Sequence, residues 1–202
     1  MGEGEGRDYD ISGVVICERD YEVLERIYGG VSGGALDAIV KGKVVVEDKR
    51  VAWLDCSGLN PSLRPFDIPE EIFGLDGLKS LDLMGNNLEY VPDGISRLEN
   101  LVALDIGRNS IAELNPVLGN LRRLEYLNAI INQLRNFPDF VRDSNLSYLC
   151  LDKNSIVTVP RWILESERLK QIHLKYNPLS YDSKQVLGNF NFAIGREATF
   201  DG

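Results

Sequence analysis

The stretch LKSLDLMGNNL, residues 78–88, recurs in closely similar form four more times along the 202-residue chain. The later copies are LVALDIGRNSI, LEYLNAIINQL, LSYLCLDKNSI and LKQIHLKYNPL, which begin at Leu101, Leu124, Leu146 and Leu169. Successive copies are 22 or 23 residues apart, and a degenerate copy, VAWLDCSGL, begins at Val51. A fixed period of this length is typical of a solenoid, in which each unit stacks on the next.

Each copy predicts one short strand. Apolar residues at its first, fourth and sixth places indicate an extended segment whose leucines face the core. An asparagine at the ninth place follows where the chain turns, and its amide can bond backbone groups that the turn leaves unpaired. We expect these asparagines to form a structural ladder: Asn86, Asn109, Asn132, Asn154 and Asn177. Most units continue with apolar-Pro-x-x-apolar, which favours a turn or a short helical segment.

This combination of period, leucine spacing, asparagine and proline resembles the leucine-rich repeat family of the intracellular type. The resemblance covers about residues 51–179. It implies an α/β fold, a right-handed leucine-rich repeat solenoid or horseshoe with a parallel sheet on its concave side. Members of the family serve as adaptors, inhibitors, ligase recognition modules and pathogen effectors, so the resemblance predicts protein binding but does not select a partner.

The flanking segments are predicted to close the solenoid, because its core is exposed at both ends unless each is capped. We assign residues 1–12 to a flexible polar tail, 13–50 to an N-terminal helix-hairpin cap, 51–179 to six repeats and 180–202 to a C-terminal cap. All four parts belong to one structural domain.

The N-terminal cap is predicted to begin with a helix that Asp20 caps and Gly29-Gly30 ends. The segment KVVVEDKRVAW, residues 43–53, then predicts a hairpin that covers the sheet edge. The alternative is that the helix binds a partner. In the C-terminal cap, Phe190, Phe192 and Ile194 alternate as in a strand.

Composition excludes several classes of function. A net charge of −9 and a pI near 4.7 argue against nucleic acid and anionic lipid as main ligands. The hydrophilic start and the lack of a long apolar run argue against a signal peptide or membrane helix. Cys17, Cys56 and Cys150 are odd in number and scattered, which indicates free thiols and a cytoplasmic location. We find no zinc-ligand spacing and no phosphate-binding loop, and we expect no cofactor and no metal.

The third, fifth and seventh places of each copy alternate with the core leucines, so their side chains point out of the concave face. Equal places in neighbouring strands form columns with ~4.8 Å spacing. From these columns and the strand exits we predict the following partner-binding residues: Trp53, Asp55, Asp82, Met84, Asp105, Arg108, Tyr126, Asn128, Ile130, Tyr148, Cys150, Asp152, Gln171, His173 and Lys175.

Tyr126 and Tyr148 are the predicted anchors. With Ile130 and Met84 they place aromatic and apolar area in the middle of a surface that water otherwise covers, which marks a contact site. The alternative is that the two tyrosines only stabilise the sheet through cross-strand pairing.

Asp55, Asp82 and Asp105 are predicted to stack in one column at ~5 Å intervals, where neighbouring carboxylates repel. A bound cation or a basic segment of a partner would offset that repulsion. Simple solvation of the three carboxylates is the other interpretation, and the sequence leaves it open.

Asn128, Cys150 and His173 occupy consecutive places of the same column and bring a thiol beside an imidazole. Their order is wrong for catalysis, because the imidazole should lie between the nucleophile and its orienting group. We therefore predict no enzyme activity and a monomeric, non-catalytic module that binds a protein or peptide. One alternative is that the chain is a structural subunit of a permanent or homo-oligomeric assembly. A third interpretation is catalysis through Cys150 and His173.

Overall fold

The computed structural model describes residues 8–11, 13–28, 42–59, 68–191 and 197–201 of the chain. An antiparallel pair, β1 (Asp8–Ile11) and β2 (Val14–Cys17), precedes helix α1 (Glu18–Tyr28), and a second pair follows, β3 (Val44–Glu47) and β4 (Arg50–Asp55). The later elements are β5 (Ser80–Asp82), β6 (Ala103–Asp105), β7 (Tyr126–Asn128), β8 (Tyr148–Cys150), β9 (Gln171–His173), α2 (Tyr181–Asn191) and β10 (Glu197–Thr199).

Strands β3 to β10 form one sheet in chain order. Strand β3 is antiparallel to β4, and every later neighbour is parallel. Equal places of the repeats are paired throughout: Leu54 with Leu81, Leu81 with Leu104, and so on to Ile172. The predicted α/β solenoid with a parallel sheet is confirmed.

The outer side of the solenoid consists of 3-10 helices, one for each turn that the structure describes there. Proline precedes four of them, and in the third unit Asn115 takes the position of proline and accepts a hydrogen bond from Val117 N at 3.0 Å. The helices are Glu70–Gly74, Asp93–Arg97, Pro116–Asn120, Asp139–Asp143 and Arg161–Glu165. Apolar residues of these helices and the strand leucines meet in one continuous buried core.

The predicted asparagine ladder joins each repeat to the one before it. Every ladder amide donates to at least two carbonyls at 2.7 to 3.2 Å, one three residues earlier in its own repeat and one at the sixth place of the preceding repeat. Four of the ladder oxygens accept a backbone N–H from the preceding repeat at 2.9 to 3.0 Å, as Asn109 does from Leu88. The ladder therefore satisfies buried backbone groups that the turns leave unpaired.

An ion pair with a buried carboxylate joins helix α1 to strand β4. Asp20 is fully buried inside α1 and does not cap that helix, which begins at Glu18. Arg50 donates to its two carboxylate oxygens at 3.0 and 3.1 Å, and Val51 N donates to it at 2.7 Å. The capping prediction for Asp20 is wrong because its carboxylate satisfies these partners on β4 instead.

Two other flanking predictions need correction. Residues 8–11 form strand β1, so this part of the predicted flexible tail is ordered against β2. Phe190 is buried in helix α2, which Ser180 opens by accepting from Ser183 N at 3.2 Å, so the strand-like pattern at Phe190 is wrong. Phe192, Ile194 and Gly29-Gly30 lie outside the described residues. The hairpin at residues 43–53 is confirmed by β3 and β4.

We predict that Asp20→Ala lowers the free energy of unfolding by about 3 kcal/mol, because it leaves a partly buried guanidinium and a buried N–H without their acceptor. Urea denaturation followed by circular dichroism measures this change. Glu22→Ala, on the exposed side of the same helix, is the matched control and should change stability by less than about 0.5 kcal/mol. Equal losses in the two variants would contradict the assigned role of Asp20.

Candidate functional site

Tyr126 and Tyr148 stack on the concave face at the middle of the sheet. Their ring centroids are 4.4 Å apart with an interplanar angle of 10°, and the exposed fraction of Tyr126 is 36%. The imidazole of His173 follows with its centroid 5.1 Å from that of Tyr148. The two predicted anchors thus lie together on one face, and they begin a short aromatic row that ends at His173.

Ile130 lies beside this row and packs over a glycine of the preceding repeat. A β-carbon added at Gly107 would come within 2.9 Å of Ile130 Cγ2. The glycine therefore leaves the space that the isoleucine side chain occupies, and Ile130 remains partly exposed. Met84 and Trp53 are also partly exposed, two and three strands from Tyr126 respectively.

The predicted aspartate column exists, and its carboxylates are occupied by the chain itself. Asp55, Asp82 and Asp105 are paired in register, and each accepts the backbone N–H of the residue two places later, at 2.7 to 2.8 Å. Lys43 lies 3.6 Å from Asp55, and the Asn128 amide donates to Asp105 at 2.8 Å. The two ends of the column thus have an ion pair or a side-chain hydrogen bond, whereas Asp82 in the middle is hydrogen-bonded only to Met84 N among the described residues.

Burial raises the pKa of the Asp82 carboxyl, and the charges of Asp105 and Asp55 raise it further, whereas the hydrogen bond from Met84 N and the charge of Lys43 lower it. The ionised form of the Asp82 carboxyl is therefore disfavoured relative to an ordinary aspartate. A group of three or more residues able to hold a metal ion is not found among the described His, Cys, Asp and Glu side chains.

Cys150 and His173 are cross-strand neighbours as predicted, but the thiol is buried, with an exposed fraction of 5%. Its burial raises the pKa of the Cys150 thiol, opposite to the change that a thiolate nucleophile needs. The Nδ1 of His173 is hydrogen-bonded to Thr199 Oγ1 at 2.9 Å. Cys150 presents almost no surface to a partner, so its prediction as a contact residue is wrong.

The C-terminal part of the face carries charges of both signs. Asp152 accepts from Lys175 N at 2.6 Å and is partly buried, whereas the side chains of Lys175 and Gln171 are exposed. Burial raises the pKa of the Asp152 carboxyl, and the charges of His173 and Lys175 lower it.

The residue that leaves each repeat strand, at the eighth place, has a left-handed backbone in all six repeats. We call these residues the exit row: Gly58, Gly85, Arg108, Ile131, Lys153 and Tyr176, with φ between 53° and 72°. Their spacing follows the sheet register, because an exit-row N–H donates to the seventh-place carbonyl of the next repeat, as Arg108 N does to Ile130 O at 2.7 Å. Only glycine adopts this conformation without steric cost.

Four exit-row residues therefore carry strain that a glycine would avoid, about 1–2 kcal/mol each. Ile131 is the clearest case, since a β-branched residue at φ 55° is a true outlier. Sequence reasoning placed these residues at the strand exits but missed their conformation. The sequence signal for a left-handed backbone was the glycine at the eighth place of the first two repeats, Gly58 and Gly85.

The leucine rich repeat family model matches residues 76–134. Fibromodulin of Oryctolagus cuniculus is 35% identical over 105 residues, which are 51% of this chain and 71% of the fibromodulin sequence. The chain belongs to the leucine-rich repeat family.

Solved leucine-rich repeat structures have the same fold. Internalin C2 of Listeria monocytogenes aligns with a TM-score of 0.61 and 26% identity, over 76% of this chain and 63% of that chain. The crystal structure of PEPR1-AtPEP1 aligns with a TM-score of 0.59 and 27% identity, over 73% of this chain and 21% of that chain. This leucine-rich repeat chain therefore spans less than two thirds of either solved chain.

No helix within the described ranges has the length and apolar character needed to cross a membrane.

We predict that Asp82→Asn raises the free energy of unfolding at pH 7 by about 0.5–1 kcal/mol, because it removes a like charge between two carboxylates and keeps an oxygen for Met84 N. The gain should vanish as the pH falls below the ordinary carboxyl range. The raised folded-state pKa means that wild-type Asp82 is protonated there and no longer penalises folding.

Urea denaturation between pH 3.5 and pH 8 measures the Asp82→Asn effect. The control is Glu89→Gln, which removes one charge from an exposed position and should show no such dependence on pH. A loss of stability in Asp82→Asn at pH 7 would show that the carboxylate charge itself stabilises the column.

We predict that Cys150 is alkylated with a pH midpoint above that of a free thiol, because burial favours its neutral form. Iodoacetamide labelling at a series of pH values, resolved by peptide mass spectrometry, measures that midpoint. Cys56 is an internal comparison, since burial raises its pKa to about 12. A Cys150 midpoint below that of a free thiol would contradict this prediction and support catalysis through Cys150 and His173.

Proposed function

We propose that this chain is a non-catalytic module that binds a partner protein or peptide on its concave face. The stacked pair Tyr126 and Tyr148 carries the proposal, because it puts aromatic area at the centre of the sheet with Ile130 beside it. Polar residues surround this centre, among them Asn128, Asp152 and Gln171. An apolar centre with a polar rim is the usual anatomy of a protein interface.

The family supports a binding role in general terms, since leucine-rich repeat domains generally mediate protein–protein interaction. The PEPR1-AtPEP1 structure gives a neighbour solved as a complex. Cytoplasmic location stays part of the proposal. It is supported by the three free cysteines, which lie in separate parts of the fold.

We assign the partner a basic group that meets Asp82. Asp55 has a direct ion pair with Lys43, and Asp105 has the Asn128 amide, whereas Asp82 has neither kind of contact among the described residues and feels Lys43 only at longer range, so its charge is the one that a partner would offset best. A Lys or Arg of the partner placed there would relieve the penalty that burial and two like charges impose. Asp82→Asn should then weaken binding while it stabilises the free protein.

The test compares two double variants as immobilised bait in a quantitative pull-down from cells of the source organism. Tyr126→Ala/Tyr148→Ala should reduce recovery of specific partners by about ten-fold, because it removes both anchors. The control Tyr90→Ala/Tyr181→Ala removes two exposed tyrosines, with exposed fractions of 59% and 76%, outside the concave columns. It should leave recovery unchanged.

Two outcomes would contradict the proposal. Equal recovery by both variants, with lower stability of Tyr126→Ala/Tyr148→Ala, would show that the stacked tyrosines only stabilise the sheet. A stable oligomer of the wild-type chain in light scattering, broken by the same variant, would instead assign the face to a permanent homo-oligomeric assembly.

A further inference from the structure

The concave face has a second apolar cluster near its N-terminal edge, in addition to the stacked tyrosines. Val45 and Trp53 are cross-strand partners on β3 and β4. Ala52 and Leu54, the chain neighbours of Trp53, are buried, so the indole points away from the core. Val45 has an exposed fraction of 45%, and Trp53 is partly exposed. Apolar and aromatic area therefore faces solvent at this edge of the sheet as well.

A trough separates this cluster from Tyr126. The third places of the two strands between them, β5 and β6, are occupied by Ser80 and Ala103, which form its floor. Three strand spacings of ~4.8 Å put the backbones of Trp53 and Tyr126 roughly 14 Å apart. The trough thus has an aromatic side chain at each end and two small side chains between them.

Two carboxylates line the trough, two residues further along β5 and β6. Asp82 and Asp105 are paired in register, so their backbones are ~4.8 Å apart. Both oxygens of Asp105 accept hydrogen bonds, from Gly107 N and from the Asn128 amide, each at 2.8 Å. Asp82 Oδ1 accepts from Met84 N, whereas Oδ2 of Asp82 has no hydrogen bond to any residue that the structure describes. This oxygen is therefore available to a donor from outside the chain.

The trough keeps a negative charge when the surrounding cations are counted. The charged side chains around it are Lys43, Glu47, Asp55, Lys79, Asp82, Asp105 and Arg108. Two ion pairs, Lys43 with Asp55 and Lys79 with Glu47, cancel. Arg108 is exposed and forms no ion pair in the part of the chain described, so it balances at most one of the two remaining acids. A basic group is the complement of this charge.

An extended peptide laid across the strands matches the dimensions of the trough. Its residues rise by ~3.3 Å each, so residues i and i+4 are roughly 13 Å apart, close to the separation of Trp53 and Tyr126. Residues i, i+2 and i+4 of an extended segment point to the same side. The i+2 side chain then lies above the floor, and a long side chain there reaches Asp82.

We infer that the trough binds an extended segment of a partner protein with the pattern apolar-x-(Lys or Arg)-x-apolar. The two apolar side chains pack on Trp53 and on Tyr126. The basic side chain lies over Ser80 and Ala103, and its head group donates to Asp82. The inference rests on the proposed function and adds the order and spacing of the residues by which the partner is recognised.

The experiment selects peptides from a phage library of random dodecapeptides on the wild-type chain. The selected peptides should share a Lys or Arg with an apolar residue two places away on either side. A synthetic copy of one such peptide then has its basic residue moved by one place, which turns that side chain to the opposite face. The move should weaken binding about ten-fold in fluorescence anisotropy, because the contact with Asp82 is lost. Equal affinity of the two peptides, or a selection that does not yield this pattern, would overturn the inference.

Ala103→Lys tests the trough itself, because it places a cation of the chain beside Asp82 and Asp105. The affinity for the selected peptide should fall about ten-fold, while the midpoint of thermal unfolding stays the same or rises because like-charge repulsion is relieved. Ala112→Lys is the matched control, since it adds the same charge at an exposed position outside the concave columns. It should change affinity by less than about two-fold. Equal losses in the two variants would overturn the inference.

Trp53→Ala tests the second apolar end and should also weaken binding about ten-fold. Tyr90→Ala, which removes an exposed tyrosine outside the concave columns, is its control and should leave affinity unchanged. The thermal midpoint of each variant shows whether it is folded, and Ala103→Lys decides the question if Trp53→Ala is not. Unchanged affinity in a folded Trp53→Ala would contradict a contact at the indole.

The same peptides separate this inference from the proposed function. Affinity that depends on Tyr126→Ala/Tyr148→Ala but on neither Ala103→Lys nor Trp53→Ala would overturn the inference and leave the proposed function standing. Binding that survives in Tyr126→Ala/Tyr148→Ala would contradict the proposed function itself. A dimer of the wild-type chain in light scattering that Ala103→Lys breaks would assign the trough to a second copy of the chain and overturn the inference.

Discussion

The asparagine ladder is the interaction on which the rest of the structure depends. Each ladder amide bonds carbonyls of two successive repeats, so one repeat cannot shift against the next without breaking buried hydrogen bonds. The leucines below the sheet hold the same register through packing, since Leu81, Leu104 and Leu127 are at most 1% exposed and paired in line. Because register is held at every repeat, side chains far apart in sequence become neighbours on the concave face.

That register determines which side chains become neighbours on the concave face. It brings Tyr126 onto Tyr148, and it forces three aspartates into one column. The chain limits the resulting repulsion with its own backbone donors, with Lys43 at one end and with Asn128 at the other. The same register aligns the exit row, whose six residues share a left-handed backbone. Apolar and acidic surfaces therefore lie side by side within one sheet.

The repeating part of the fold could be predicted from sequence, and the flanks only in part. The repeat period is a reliable signal because Leu, Asn and Pro recur at fixed places, so that each copy supports the assignment of the others. Asp20 has no such support, since its partners Arg50 and Val51 lie 30 and 31 residues later and only the folded chain brings them together. Strand β10 depends likewise on the free edge of β9. In the candidate site, the repeat period was enough to predict which residues share a column on the concave face. The burial of Cys150 and the left-handed backbone of the exit row could not be predicted, because they depend on side-chain packing and on backbone angles.

Amide hydrogen exchange in Asn109→Ala tests the claim that the ladder holds the repeats in register. Asn109 Oδ1 accepts from Asn86 N and Leu88 N, both at 2.9 Å. The account predicts that these two amides lose protection together and that the free energy of unfolding falls by about 2–3 kcal/mol. Full protection of both amides with unchanged stability would show that leucine packing alone maintains the register, and it would contradict the account.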